Sequence, residues 1–189
     1  MKELTLEEIE LGRAKALANA HALVEEARIL FKTKHYPRSY ALAHLACEEL
    51  GKVMMLVSIG IESRLGTANW SKFWKRFRSH KAKTKNILGL DYLVSPIRSD
   101  NSDVEQYWKD ITENVHVFED LKLACLYSDY ISGNFISPSE IVKRRHAESM
   151  LRLAEGRLRV ISDVEKVTLG KIKDADIEEI KRIRKMFLP

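Results

Sequence analysis

The stretch HLACEELGKVMML, residues 44–56, decides the fold class. It holds no proline and sets apolar residues at spacings of three and four, so it reads as a buried helix. At about 100° per residue, Leu42, Ala46, Glu49, Val53 and Leu56 fall within roughly 80° of one another, which puts a carboxylate in the middle of the apolar stripe. A lone buried carboxylate is costly, so Glu49 predicts a cation or strong donors within reach. Lys52 on the rim of the face and Arg38, one turn before Leu42, are candidates. Glu48, about 100° round, points to the edge of the face and is expected to be the less buried of the two acids.

Outward from this helix the chain continues in the same pattern. A first helix opens at Thr5, where T-L-E-E has the form of a capping box, and runs to about Phe31. A turn over 32–37 leads into the second helix, from near Arg38 to about Ser63. A third helix carries Trp70, Phe73, Trp74, Phe77 and Leu88, an aromatic stripe whose spacing reads as core. After a polar loop from Ser95 to Ser102, a fourth presents Val104, Trp108, Ile111, Val115, Phe118 and Cys125 and breaks at Gly133. A fifth opens at S-P-S-E, with Ser137 as cap, Pro138 at the first helical position and Glu140 closing the box. A final helix over about 174–187 is read as peripheral. No segment alternates in the manner of a strand, and no repeat or second domain is evident. The expectation is one all-α domain over residues 1–189, an up-and-down bundle of five to six helices joined by mostly short loops.

At 189 residues, 45% hydrophobic and 31% charged, the chain can bury a sizeable core. It has no stretch near 18 uncharged apolar residues and no signal-peptide layout, which implies a cytoplasmic protein with no membrane partner. Its two cysteines, Cys47 and Cys125, lie in apolar helical surroundings and read as reduced core thiols. The net charge of +5 permits contact with RNA. The excess is concentrated in KFWKRFRSHKAKTK, residues 72–85, which holds no acid.

Polar residues that break apolar faces are the candidates for function. Besides Glu49 and Lys52, His80 flanks the aromatic stripe with Lys83 one turn later, and Lys122 and Asp129 continue the line of Val115 and Phe118, with Tyr127 close in sequence. These groups form either a buried network that fixes helix register or a pocket. A di-iron centre would need a histidine three residues beyond Glu49, where Lys52 stands instead, so no metal and no cofactor are expected. Neither a nucleophile elbow nor a phosphate loop is present.

Three strings, SYALAHLACEELGKVMML, FRSHKAKT and LKLACLYSDYISGNFISP, together resemble the AbiV type of abortive infection protein within the HEPN superfamily. The family pattern of Glu-Glu-x-Gly-Lys, His-x-x-Lys and Leu-Tyr-x-Asp carries over onto Glu48, Glu49 and Lys52, onto His80 and Lys83, and onto Tyr127 and Asp129. The resemblance implies a helical bundle, commonly a homodimer, that acts in antiviral defence. Many HEPN proteins are metal-independent ribonucleases with an Arg-x(4–6)-His motif. Here Arg38 with His44 and Arg28 with His35 fit that spacing, whereas Arg76 stands only three intervening residues before His80.

The implied site comprises His80, Glu49, Lys52, Lys83, Tyr127 and Asp129. His80 would handle a proton, Lys52 and Lys83 would hold phosphate, and Glu49 would orient a Lys or His. Arg76, Arg78 and Lys81, with Arg38 and His44, would contact RNA phosphate. The competing expectation is a non-enzymatic interaction module that binds a viral or host protein, with the polar cluster serving as a structural network.

Overall fold

A computed structural model describes residues 2–94, 101–179 and 181. Helix α1, Leu6–Lys32, starts at the capping box read from sequence. Glu8 N donates to Thr5 Oγ1 at 3.2 Å, and Thr5 N donates to Glu8 Oε2 at 2.9 Å. The chain turns at Lys34, whose φ of 66° ends the helix, and Pro37 sits in the first turn of α2, Tyr36–Arg64. Beyond these lie α3 (Trp70–Arg78), α4 (His80–Val94), α5 (Asn101–Ala124), α6 (Pro138–Ile141) and α7 (Arg144–Thr168).

The class is all-α, and the described residues hold more helical segments than expected and one small sheet. The third helix is two: Ser79, extended at φ −85° and ψ 120°, ends α3, and its Oγ accepts from Ala82 N at 3.3 Å as α4 begins. The S-P-S-E box is present, with Ser137 N donating to Glu140 Oε2 at 2.7 Å, but it opens a single turn, and the long helix α7 starts six residues later. The fourth helix does not run to Gly133. It ends at Ala124, and strands β1 (Asp129–Ile131) and β2 (Asn134–Ile136) form an antiparallel hairpin. The two turn residues, Ser132 and Gly133, both have positive φ, 51° and 88°, the twist that two-residue hairpins require. Of the polar loop expected at Ser95–Ser102, Asn101 and Ser102 belong to α5 and the rest lies outside the described residues. So do the side chains of Val104, Trp108 and Ile111, and half of the helix expected at 174–187.

Helix α2 is the axis of the molecule. Buried side chains run round most of its circumference, as befits a helix with neighbours on several sides. Its apolar face joins Ala16, Ala20, Val24 and Ala27 of α1 and Met150, Ala154 and Ile161 of α7 in the larger core. A smaller cluster unites Met55, Leu56 and Ile59 with Ile9, Ile172 and Phe73, and Trp70, Trp74 and Phe77 of the aromatic stripe pack against it. Cys47 and Cys125 are buried and not joined in a disulfide. Helix α7 is tied to α1 by Arg13, fully buried, whose guanidinium meets Glu165 at 2.6 and 3.1 Å and Glu10 at 2.8 Å. No described helix is long and apolar enough to cross a membrane.

Candidate functional site

Residues His44, Glu48, Gly51 and Met55, at spacings of four, three and four, form a second face of α2 about 150° from the stripe that carries Glu49. Gly51 lets α4 lie directly on this face, since a Cβ there would stand 2.5 Å from the Lys83 carbonyl oxygen. That approach, together with the cap at Ser79, sets His80 and Lys83 over Glu48. On α5, Val115, Glu119 and Lys122 share the face turned toward the same point.

Glu48 is 2% exposed and all of its partners come from these three helices. Its Oε2 lies 2.5 Å from His80 Nδ1 and 3.1 Å from Lys83 Nζ. Its Oε1 accepts from Lys122 Nζ at 2.6 Å and faces His44 Nε2 at 3.5 Å. Lys122 also donates to Glu119 Oε2 at 2.6 Å, and Thr84 Oγ1 donates to Glu119 Oε1 at 2.9 Å. Burial alone would raise the pKa of both carboxyls, but their cations and donors outweigh it. Glu48, facing His44, Lys122 and His80, is held well below the usual carboxylate range, and Glu119 falls to about 2. Burial would likewise lower Lys122, yet the Glu119 and Glu48 carboxylates raise it, and they raise buried His44 in the same way.

The chemical consequence concerns His80. An ionised carboxylate can only accept, so His80 Nδ1 donates to it, and in the neutral imidazole the lone pair falls on Nε2. The His80 side chain is 58% exposed above a Glu48 side chain that is 3% exposed. A buried carboxylate that fixes the tautomer of an accessible imidazole is the arrangement of a general base.

Glu49 is not the buried acid. Its side chain is 16% exposed at the solvent edge of the stripe and pairs at 2.5 Å with Lys52, one of its expected partners, while His80 and Lys83 meet Glu48 instead. Lys52 lies over the Phe77 ring, 5.9 Å from its centre. Tyr127 and Asp129 follow the end of α5, are exposed, and are not brought to Glu48; the Asp129 carboxylate accepts from Tyr130 N. Arg76 reaches Asn86 at 2.8 Å, Arg78 lies over Trp74, and Lys81 is exposed beside His80. Of the Arg38 and His44 pair, Arg38 is exposed and His44 is enclosed, 2% exposed.

Glu119 and Thr84 were not singled out from sequence. The signal for Glu119 was its place four residues after Val115 and three before Lys122, on one helix face. His44, Glu48 and Glu119 could together offer three ligand atoms to a metal ion, but Lys122 already bridges the two carboxylates. The Glu-x-x-His spacing of Glu113 and His116 falls on exposed positions.

An all-α bundle whose central helix buries an ionised carboxylate beneath an accessible histidine, beside a basic helix, describes the class in structural terms. Residues 8–159 match the family model HEPN_AbiV, described as AbiV, and the chain belongs to this family of abortive-infection HEPN proteins. Comparison with curated proteins and with solved structures gives no match.

Proposed function

We propose that the protein is an abortive-infection effector that cleaves RNA without a metal ion, acting as a homodimer, with Glu48 and His80 as its proton-transfer pair. The observation that carries this reading is the 2.5 Å contact between buried Glu48 and half-exposed His80. His80 Nε2 accepts the proton of a ribose 2′-hydroxyl, and the 2′-oxygen attacks the adjacent phosphorus. The 5′-oxygen leaves and takes a proton from water, so the products carry a 2′,3′-cyclic phosphate and a 5′-hydroxyl. In this reading exposed Arg78 and Lys81, which flank His80 in sequence, hold phosphate, together with part-buried Lys52, which lies over the Phe77 ring.

Purified protein incubated with single-stranded RNA is expected to yield these termini, with His80→Ala slower by roughly 100- to 10,000-fold. Cleavage that survives His80→Ala removes His80 from the reaction. The second reading, a non-enzymatic interaction module, is favoured by the internal pairing of Glu48 and Glu119 with Lys83 and Lys122, which needs no substrate to satisfy it. It requires that wild-type protein cleave no RNA.

A further inference from the structure

His44 is 2% exposed, yet neither ring nitrogen makes a hydrogen bond. Its Nε2 faces Glu48 Oε1 at 3.5 Å and Glu119 Oε1 at 3.4 Å, and one atom from each of the three residues lies within 4.8 Å of the others. Those separations are long for N–H···O bonds, which cluster near about 2.9 Å. They match the edge of a tetrahedron of zinc ligands, about 3.4 Å for bonds of about 2.1 Å. What draws the two carboxylates together is Lys122, whose Nζ donates at 2.6 Å to Glu48 Oε1 and at 2.6 Å to Glu119 Oε2.

We propose that Lys122 is the resident cation of a centre built like a metal site, and that by engaging Oε1 of Glu48 it leaves Oε2 to His80 and Lys83. Two buried ammonium groups, Lys83 and Lys122, balance two carboxylates, so a dication added to the intact cluster leaves uncompensated positive charge in the interior. Removing the Lys122 ammonium reverses this. The cluster is then left negative, with an imidazole already aimed between two carboxylate oxygens. Lys122 touches no substrate and is a positioning residue. Its effect on His80 rests on the ribonuclease reading, whereas its role as resident cation does not.

Calorimetric titration of ZnCl2 into Lys122→Ala is expected to give one site, bound at least roughly 100-fold more tightly than by the wild type. Lys122→Ala/His44→Ala is expected to lose it. Equal zinc binding by the wild type and Lys122→Ala overturns the proposal. If Lys122→Ala folds poorly, refolding with and without ZnCl2 gives the same answer: recovery of helical circular dichroism only with zinc supports the resident cation, and indifference to zinc overturns it. The positioning role is read by cleavage. Lys122→Ala is expected to lower kcat at least roughly tenfold with KM unchanged, and added methylammonium to restore part of the rate. A change in KM instead, or a kcat that methylammonium leaves untouched, overturns the positioning role. Zinc binding gained by Lys122→Ala when the wild type cleaves no RNA keeps the resident cation and removes the ribonuclease reading together with the positioning role.

Discussion

Glu48 keeps its charge in nearly full burial because four groups divide its two oxygens, His80 and Lys83 at one and Lys122 and His44 at the other. Glu49, next to it, has one partner on its own helix and open solvent at its edge. The two acids should therefore respond differently to the same isosteric change. Glu48→Gln leaves buried cations without their counter-charge and is expected to cost about 3–5 kcal/mol, a fall in Tm on the order of 10 °C for a chain of this size. Glu49→Gln removes a part-buried i,i+3 pair at the rim of the helix and is expected to cost about 1 kcal/mol or less. Thermal melts of the two variants side by side check this, and equal losses would contradict the burial difference. The acidic pair in EELGK was legible as the place to look, but which of the two is buried was not. Periodicity on one helix finds the most apolar face, and here that face packs on α1, while the face with His44 and Glu48 is closed by α4 and α5.

At the scale of elements, the contact that builds the site is the crossing of α4 over α2 at Gly51. The close approach needs the absence of a side chain rather than glycine's backbone freedom, since a Cβ would collide with backbone oxygen that cannot turn away. Gly51→Ala is expected to destabilise by about 1–3 kcal/mol by denaturant unfolding. Because the collision lifts the helix that carries His80, the ribonuclease reading expects it also to lower the rate of RNA cleavage, a pairing that a surface Gly→Ala change does not produce. The break at Ser79 works with this crossing: His80 opens a new helix instead of continuing the aromatic stripe of α3, so its direction follows α4. A single serine inside a strongly periodic run does not announce a boundary, which is why one helix was read through it. The hairpin at 129–136 escaped for a related reason. Three-residue strands are too short to show alternation, and only the pair Ser132 and Gly133 marked the turn.

Across the whole molecule, the positive charge is concentrated in one segment. The run from Lys72 to Lys85 holds exposed Lys75, Arg76, Arg78 and Lys81, and it also contains Lys83, buried against Glu48. One basic segment thus serves two purposes that its composition alone does not separate. In the RNA reading, each exposed cation that touches phosphate releases a counterion. Arg78→Ala and Lys81→Ala are each expected to flatten the slope of log K against log salt by about 0.7 for single-stranded RNA, measured by fluorescence anisotropy. Unchanged slopes would place the phosphate path elsewhere.

The sequence by itself determined the helical class, the cap of α1 and the motif strings that tie the chain to the AbiV family. It also determined that Lys52 and Lys122 sit where polar groups interrupt apolar faces, because all of these depend on spacing within one helix. Only the tertiary structure decided that Glu48 rather than Glu49 is the buried acid, that His44 and Glu119 join it, and that Tyr127 and Asp129 stand apart. Those facts depend on which helices lie on each side of α2, and on how near Gly51 lets α4 come.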